Sequence, residues 1–227
     1  MNAQQLKNAI LQEAIEGRLV PQDPNDEPAS ALLARIRKEK EQLVREGKLK
    51  KKDLIETPIT EDELPFNIPN SWEWVRFGTI TINRDSERIP LSVYERSRLE
   101  KKYDYYGASG VIDKVDRYLF NKPLLLIGED GANLINRSTP IAFIARGEYW
   151  VNNHAHVLDY LNEDLMQYMC WYINAISLVD YVTGTAQPKM NQEKMNSILV
   201  ALPPLAEQHR IVEKLEQLLG EIDKLKK

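Results

Sequence analysis

The sequence predicts an α+β fold in which one β-rich domain stands between helical segments. Three observations carry this reading. Apolar residues recur at helical spacing near the start. Short apolar runs broken by prolines and glycines fill residues 74–160. The last twenty residues step by fours and threes. The chain divides on this pattern into a helical region and linker (1–60), a β-rich domain (61–200) and a C-terminal coiled-coil helix (201–227).

Leu6, Ala9, Ile10, Glu13 and Ala14 predict a first helix that stops at Gly17. The stretch RLVPQDPNDEP holds three prolines and reads as turn or linker. A second helix is expected from Pro28–Ser30, capped by Asp26 or Ser30, carrying Leu32, Leu33, Ile36, Leu43 and Val44 and ending at Gly47. Residues 35–52 contain nine Lys/Arg against three Asp/Glu, which is either a solvated face or a surface for phosphate or an acidic partner. Trp72, Trp74, Val75 and Phe77 open the β-rich part. Strands are expected at 74–82, 111–113, 123–128, 140–145 and 149–159. Residues 162–180 predict a helix capped by Asn162, with Leu165, Met169, Tyr172, Ile176 and Val179 on one stripe. Ile211, Leu215, Leu218, Ile222 and Leu225 form an a/d seam that needs another helix, from this chain or from a second copy.

Composition narrows the function classes. The net charge of −4 argues against a free-standing binder driven by electrostatics alone. The single cysteine, Cys170, excludes a disulfide framework and fits a cytoplasmic protein; on its helix it reads as core filler. No run of eighteen apolar residues suggests a membrane span, and the N-terminus does not read as a secretory signal.

The chemical constellations were tested in turn. Glu129, Asp130, His154 and His156 could in principle build a His₂-carboxylate metal site, since two histidines one residue apart in a strand share a face. Nothing in the sequence brings Glu129 to His154, so hydrogen-bonded histidines and an acidic turn are the plainer reading and no metal is expected. Gly128-x-x-Gly131 is not a dinucleotide fingerprint, and the chain lacks a P-loop and a G-x-S-x-G elbow. Leu202-Pro203-Pro204-Leu205 lacks the polar acceptor and the aromatic that an adenine-flipping methyltransferase loop needs. No catalytic residue is therefore expected. What remains is residues 83–122, rich in Arg, Lys and Tyr, whose side chains suit guanine edges and phosphates; its nine basic residues are offset by seven acidic ones.

Four stretches together resemble the DNA-specificity subunit of type I restriction–modification systems. They are the N-terminal helices with their basic tail (1–51), YYGASGVID with LLLIGEDGANL and YWVNNHAHVL, the run TGTAQPKMNQEKMNSILVALPPLAEQHRIVEKLEQLL, and within it LPPLAEQHRI, the most specific. The resemblance implies that the domain at 61–200 is a target-recognition domain and that the flanking helices are a spacer. It implies partners: double-stranded DNA, methyltransferase subunits that bring S-adenosylmethionine and modify adenine, and a restriction/motor subunit that uses ATP and Mg. This subunit would hold no cofactor itself. The family's usual subunit carries two recognition domains, each reading half of a split site. One domain is recognised here, so a homodimer through the 211–225 seam and the N-terminal helices is expected. Sequence reading should fall on loops, with Arg84, Arg88, Arg96, Lys101, Tyr105, Lys114, Arg117, Asn133, Arg137, Gln187 and Lys189 as candidates. The alternative is a truncated or regulatory subunit that occupies the methyltransferase without reading DNA.

Overall fold

The computed structural model describes residues 2–184 and 187–224. In chain order the helices and strands begin with α1 (Ala3–Ile15), α2 (Ala29–Arg45), β1 (Glu73–Arg76), α3 (Phe77–Ile80) and β2 (Ile82–Asn83). The middle of the chain forms α4 (Val93–Ser97), β3 (Tyr103–Gly107), β4 (Gly110–Val115), β5 (Leu124–Gly128), α5 (Asn133–Asn136), β6 (Ala142–Ala145), β7 (Tyr149–Val151) and β8 (Ala155–Asp159). The last elements are α6 (Glu163–Ala175), α7 (Gln192–Asn196), β9 (Leu199–Leu202) and α8 (Leu205–Lys224). The α+β class is as the sequence predicts.

The chain folds into two compact units that interleave rather than follow the three consecutive stretches read from the sequence. The helical unit gathers residues 1–80, 161–175 and 196–227; the sheet unit holds 81–160 and 176–195. In the helical unit, β1 pairs antiparallel with β9, Glu73 opposite Leu202, so residues far apart in sequence close one small sheet. Above it α6 packs with α8 and α1. Tyr168 and Tyr172 of α6 are buried, and their hydroxyls donate to the carbonyls of Ala201 at 2.7 Å and Leu199 at 3.0 Å. Asn162 caps α6 as expected, its side chain accepting from Leu165 N at 2.8 Å. The helix nevertheless stops at Ala175, and Val179 lies exposed beyond it.

The C-terminal seam is occupied within the chain. Ile211, Leu215 and Ile222 are buried, joined by Val212 and Leu219, while Leu218 is only partly covered. Leu225 lies outside the described residues. The same 4-3 spacing serves packing on α6 and α1, so most of the face offered as unpartnered is covered within the chain. Two polar residues of LPPLAEQHRI are equally internal. Glu207 and Gln208 are fully buried; Trp72 Nε1 donates to Glu207 at 2.9 Å, and burial raises that carboxyl above its ordinary value against the Trp72 and Gln22 hydrogen bonds.

Neither expected residue caps α2. Pro28 holds the cap position, Ala29 N donates to Ser71 O, and Asp26 is paired instead with Arg210 at 2.6 Å. Within the basic run, Arg35, Arg37, Arg45 and Lys48 pair with glutamates. Lys40 is buried and donates to Gly78 O at 2.6 Å and Thr79 O; burial pushes its ammonium down to about 8. Much of this run is thus neutralised or internal.

The sheet unit holds a four-stranded sheet in the order β2-β8-β5-β6 and a three-stranded one, β4-β3-β7. Every residue of β5 and β8 is buried, as two-sided central strands require. Leu124, Leu126, Val157, Ala155, Tyr149 and Phe120 form the main core; Tyr105, Val115 and Trp150 form a second. Two predicted strands are interrupted. The 74–82 run breaks at α3, and 149–159 breaks at residues 152–154. Strand β3 was not predicted, because YDYYG shows no aliphatic alternation.

Candidate nucleic-acid interface

The stretch Gly128-Glu129-Asp130-Gly131 leaves the end of β5 and turns. Gly128 is required there: a Cβ would stand 2.8 Å from the Ala108 carbonyl oxygen and 2.8 Å from Ile141. Gly131 takes φ +100, where a side chain would be strained. Between them the main chain is tied on both sides. Glu129 N donates to His154 O, Met190 N donates to Glu129 O, and Gly131 N donates to Pro188 O, each at 2.9 Å.

The side chains complete a network. Glu129 accepts from Arg88 at 2.8 Å and pairs with Lys189 at 3.1 Å; Asp130 lies 2.7 Å from His154 Nδ1. His156 is buried, with Nδ1 2.7 Å from Asp85 and Nε2 2.8 Å from Met190 O, so both ring nitrogens face acceptors. Asp85 also accepts from Val157 N at 2.8 Å and Gln192 at 2.9 Å. Burial alone would raise the Asp85 carboxyl; His156, Arg88 and Gln192 overcome it and hold it at about 2. Burial would likewise raise the Glu129 carboxyl, and Arg88, His156 and Lys189 outweigh it, leaving that group below its ordinary value.

The expectation that nothing would bring Glu129 to His154 is therefore overturned. Strands β5 and β8 are antiparallel neighbours, Gly128 opposite Ala155, and that register delivers both pairs to one end of the sheet. The strand-alternation argument for the histidines also fails, because His154 lies in the break before β8 and is exposed whereas His156 is inside it and buried. The carboxylates are engaged as ion-pair partners. Among the described residues no group of three or more His, Cys, Asp or Glu is arranged to hold a metal ion.

All eleven candidate readers fall in the sheet unit. Arg84 bonds Asp159 at 2.8 Å and Glu87 at 3.0 Å. Arg88 is held by Glu129 and by the Ala155 carbonyl, and Arg96 by Asp113 at 2.9 Å and by the Leu91 carbonyl. Tyr105 is buried beneath the Arg96 guanidinium, and its hydroxyl accepts from Leu91 N at 2.9 Å. Asn133 bonds Ser138 and Thr139 around its own loop. Arg137 sits in the left-handed region at φ 51 and donates to Ile176 O; burial lowers its guanidinium from the ordinary value. These six side chains brace the unit.

The rest reach the surface. Lys101 bonds Asp113 at 2.9 Å, Lys114 bonds Asp104 at 3.0 Å, and Lys189 keeps an exposed head beside Glu129. Gln187 is exposed on the segment returning from Thr183, which bridges to Lys189. Arg117 is exposed and lies over the Trp150 ring. Two exposed cations absent from the predicted set, Arg98 and Lys102, also lie over rings, those of Tyr94 and Tyr103. Their signal was local: each stands within four residues of a tyrosine.

Comparison with known proteins places this geometry. Residues 69–227 match the sequence model of the family described as "Type I restriction modification DNA specificity domain". Over 97% of its length the chain is 34% identical to the specificity subunit of the Escherichia coli type I restriction enzyme EcoEI, covering 41% of that protein. It is 31% identical to the EcoAI specificity subunit of the same organism, again over 97% of the chain, covering 40% of that protein. The chain thus spans about two-fifths of the length of these curated relatives. In fold it resembles the S subunit of a type I restriction-modification system from M. genitalium, with a TM-score of 0.53 and 16% identity, covering 98% of this chain and 49% of that one. The HsdS subunit from Thermoanaerobacter tengcongensis is similar, with a TM-score of 0.50 and 16% identity, covering 99% and 51%.

Proposed function

The chain belongs to the type I restriction–modification DNA specificity family, and from that premise we propose that it is a non-catalytic DNA sequence-recognition subunit whose sheet unit reads one half of a bipartite site. The observation that carries this is the family match over residues 69–227, which takes in the whole of the sheet unit. The geometry supports it: the Asp85–His156–Glu129 network ties the ends of β5 and β8 to the segment that carries the exposed Gln187 and Lys189.

In this reading methyltransferase subunits supply S-adenosylmethionine and adenine methylation, and a restriction/motor subunit uses ATP and Mg. The assembly works in the cytoplasm; no described helix is long and apolar enough to cross a membrane. We assign the second half-site to a second copy of this chain, pairing through surface other than the buried 211–222 stripe. Arg117, Lys114, Lys101, Lys189 and Gln187 contact DNA directly. Arg84, Arg88, Arg96, Tyr105, Asn133 and Arg137 act on it only by shaping the unit.

Selection from a random duplex pool, with the full chain bound to its methyltransferase subunits, tests the proposal. Enrichment of one defined sequence is expected. A stable complex that retains every duplex equally contradicts it and favours the regulatory alternative.

A further inference from the structure

The cations of the sheet unit fall into two kinds. Arg96 and Lys101 share Asp113, and Lys114 takes Asp104, so the two carboxylates within β3 and β4 are already engaged. Arg98, Lys102 and Arg117 are exposed and make no ion pair among the described residues; each instead lies over a ring. Arg98 is 4.0 Å from the Tyr94 centroid, Lys102 is 4.8 Å from Tyr103, and Arg117 is 5.5 Å from Trp150. Glu100 and Glu148 reach Lys102 only as distant charges.

The three stand close along the fold. Arg98 follows α4 and Lys102 precedes β3; Lys102 N donates to Val115 O at 3.0 Å, two residues before Arg117. Tyr103 packs edge-on against Tyr118, next to Arg117, with ring centroids 5.3 Å apart. A ring beneath a guanidinium covers its face and leaves the in-plane N–H groups pointing outward, so the donors are oriented before any ligand arrives. Exposed, ring-backed and unneutralised cations on neighbouring segments suit a polyanion with repeated oxygens. Heads held back on the protein's own rings lack the reach to the floor of a major groove about 8.5 Å deep.

Resting on the DNA-recognition reading above, we propose that Arg98, Lys102 and Arg117 form an aromatic-backed ledge that grips the phosphodiester backbone of duplex DNA. The ledge sets the register of the sheet unit without reading bases.

The test measures binding of the full chain, in complex with its methyltransferase subunits, to its selected duplex and to a scrambled duplex between 50 and 200 mM salt, roughly the range over which phosphate contacts show. Arg98→Ala, Lys102→Ala and Arg117→Ala should each weaken both duplexes by the same factor and flatten the log–log salt slope by about 1. Lys122→Ala, whose charge Asp159 already neutralises, should flatten it clearly less. Far-UV circular dichroism and the thermal midpoint check folding, and Arg98→Gln, Lys102→Gln and Arg117→Gln serve for any alanine variant that unfolds. A loss confined to the selected duplex, or an unchanged slope in the triple variant, overturns the ledge. A wild-type complex that binds no duplex at 50 mM salt overturns the recognition reading itself, which separates the two failures.

Discussion

Asp85 shows how one buried carboxylate organises the sheet unit. Its charge is held by His156 and Arg88 against the cost of burial. A carboxyl whose folded value is about 2, against about 3.9 in an unfolded chain, stabilises the fold fully above that unfolded value. The contribution is lost as pH falls from about 4 towards 2. Acid titration followed by denaturant unfolding should therefore show a fall of about 2 kcal/mol over that window. Asp85→Asn should remove that dependence and cost about 3 kcal/mol near neutral pH, because it leaves the buried His156 without its anionic partner. An unchanged acid limb in Asp85→Asn would count against the pairing. Lys40 gives a slope of the same sign for the opposite reason, because burial disfavours its charged form. Burial lowers its ammonium to about 8, so the folded chain releases a proton before the unfolded one does. Unfolding free energy should rise between pH 8 and about 10.4, and Lys40→Met should flatten that rise. None of these roles was legible in the sequence. Arg88 reads as one cation among nine in residues 83–122, and its partner Glu129 is 41 residues away. Counting charges finds basic side chains; only the fold shows which ones are already spent.

At the scale of elements, periodicity located faces correctly and assigned partners poorly. The 4-3-4-3 steps of α8 mark its buried stripe, yet the same steps describe a coiled coil between copies and a helix laid on α6 and α1. Leu215→Ala should lower stability by about 3 kcal/mol, and by the same amount at low and at high protein concentration. A loss that disappears at high concentration would restore the seam to an intermolecular role. The turn after β5 was visible as glycines and acids, but its rigidity was not. Gly128 is fixed by the approach of the Ala108 carbonyl and Ile141. Gly128→Ala should cost about 2 kcal/mol, read from chemical denaturation, and wild-type stability in that variant would mean the contact relaxes freely. The strand at YDYYG escaped detection because tyrosine and aspartate give no apolar alternation, while parallel pairing with β7 and an irregular register with β4 hold it in place.

For the whole molecule, the sequence carried the class and the family but not the way the chain is gathered. Helix α6 and strand β9, read as parts of one β-rich domain, belong with the N-terminal helices, since β9 closes on β1 and the α6 tyrosines bond to β9. Such long-range closure leaves no local signature. The motif LPPLAEQHRI was recognisable as a string, and the structure supplies its physical reason: Glu207 and Gln208 are buried, with Glu207 bonded to Trp72 and Gln208 to the Pro203 carbonyl. The central claim is that this chain chooses a DNA sequence for its methyltransferase partners. Sequencing modified adenines in cells that express the chain with those partners tests it most directly. The account predicts one split motif, modified only when the chain is present, and symmetric about its spacer if two copies act together. Methyltransferase complexes that form while no motif is modified would contradict it.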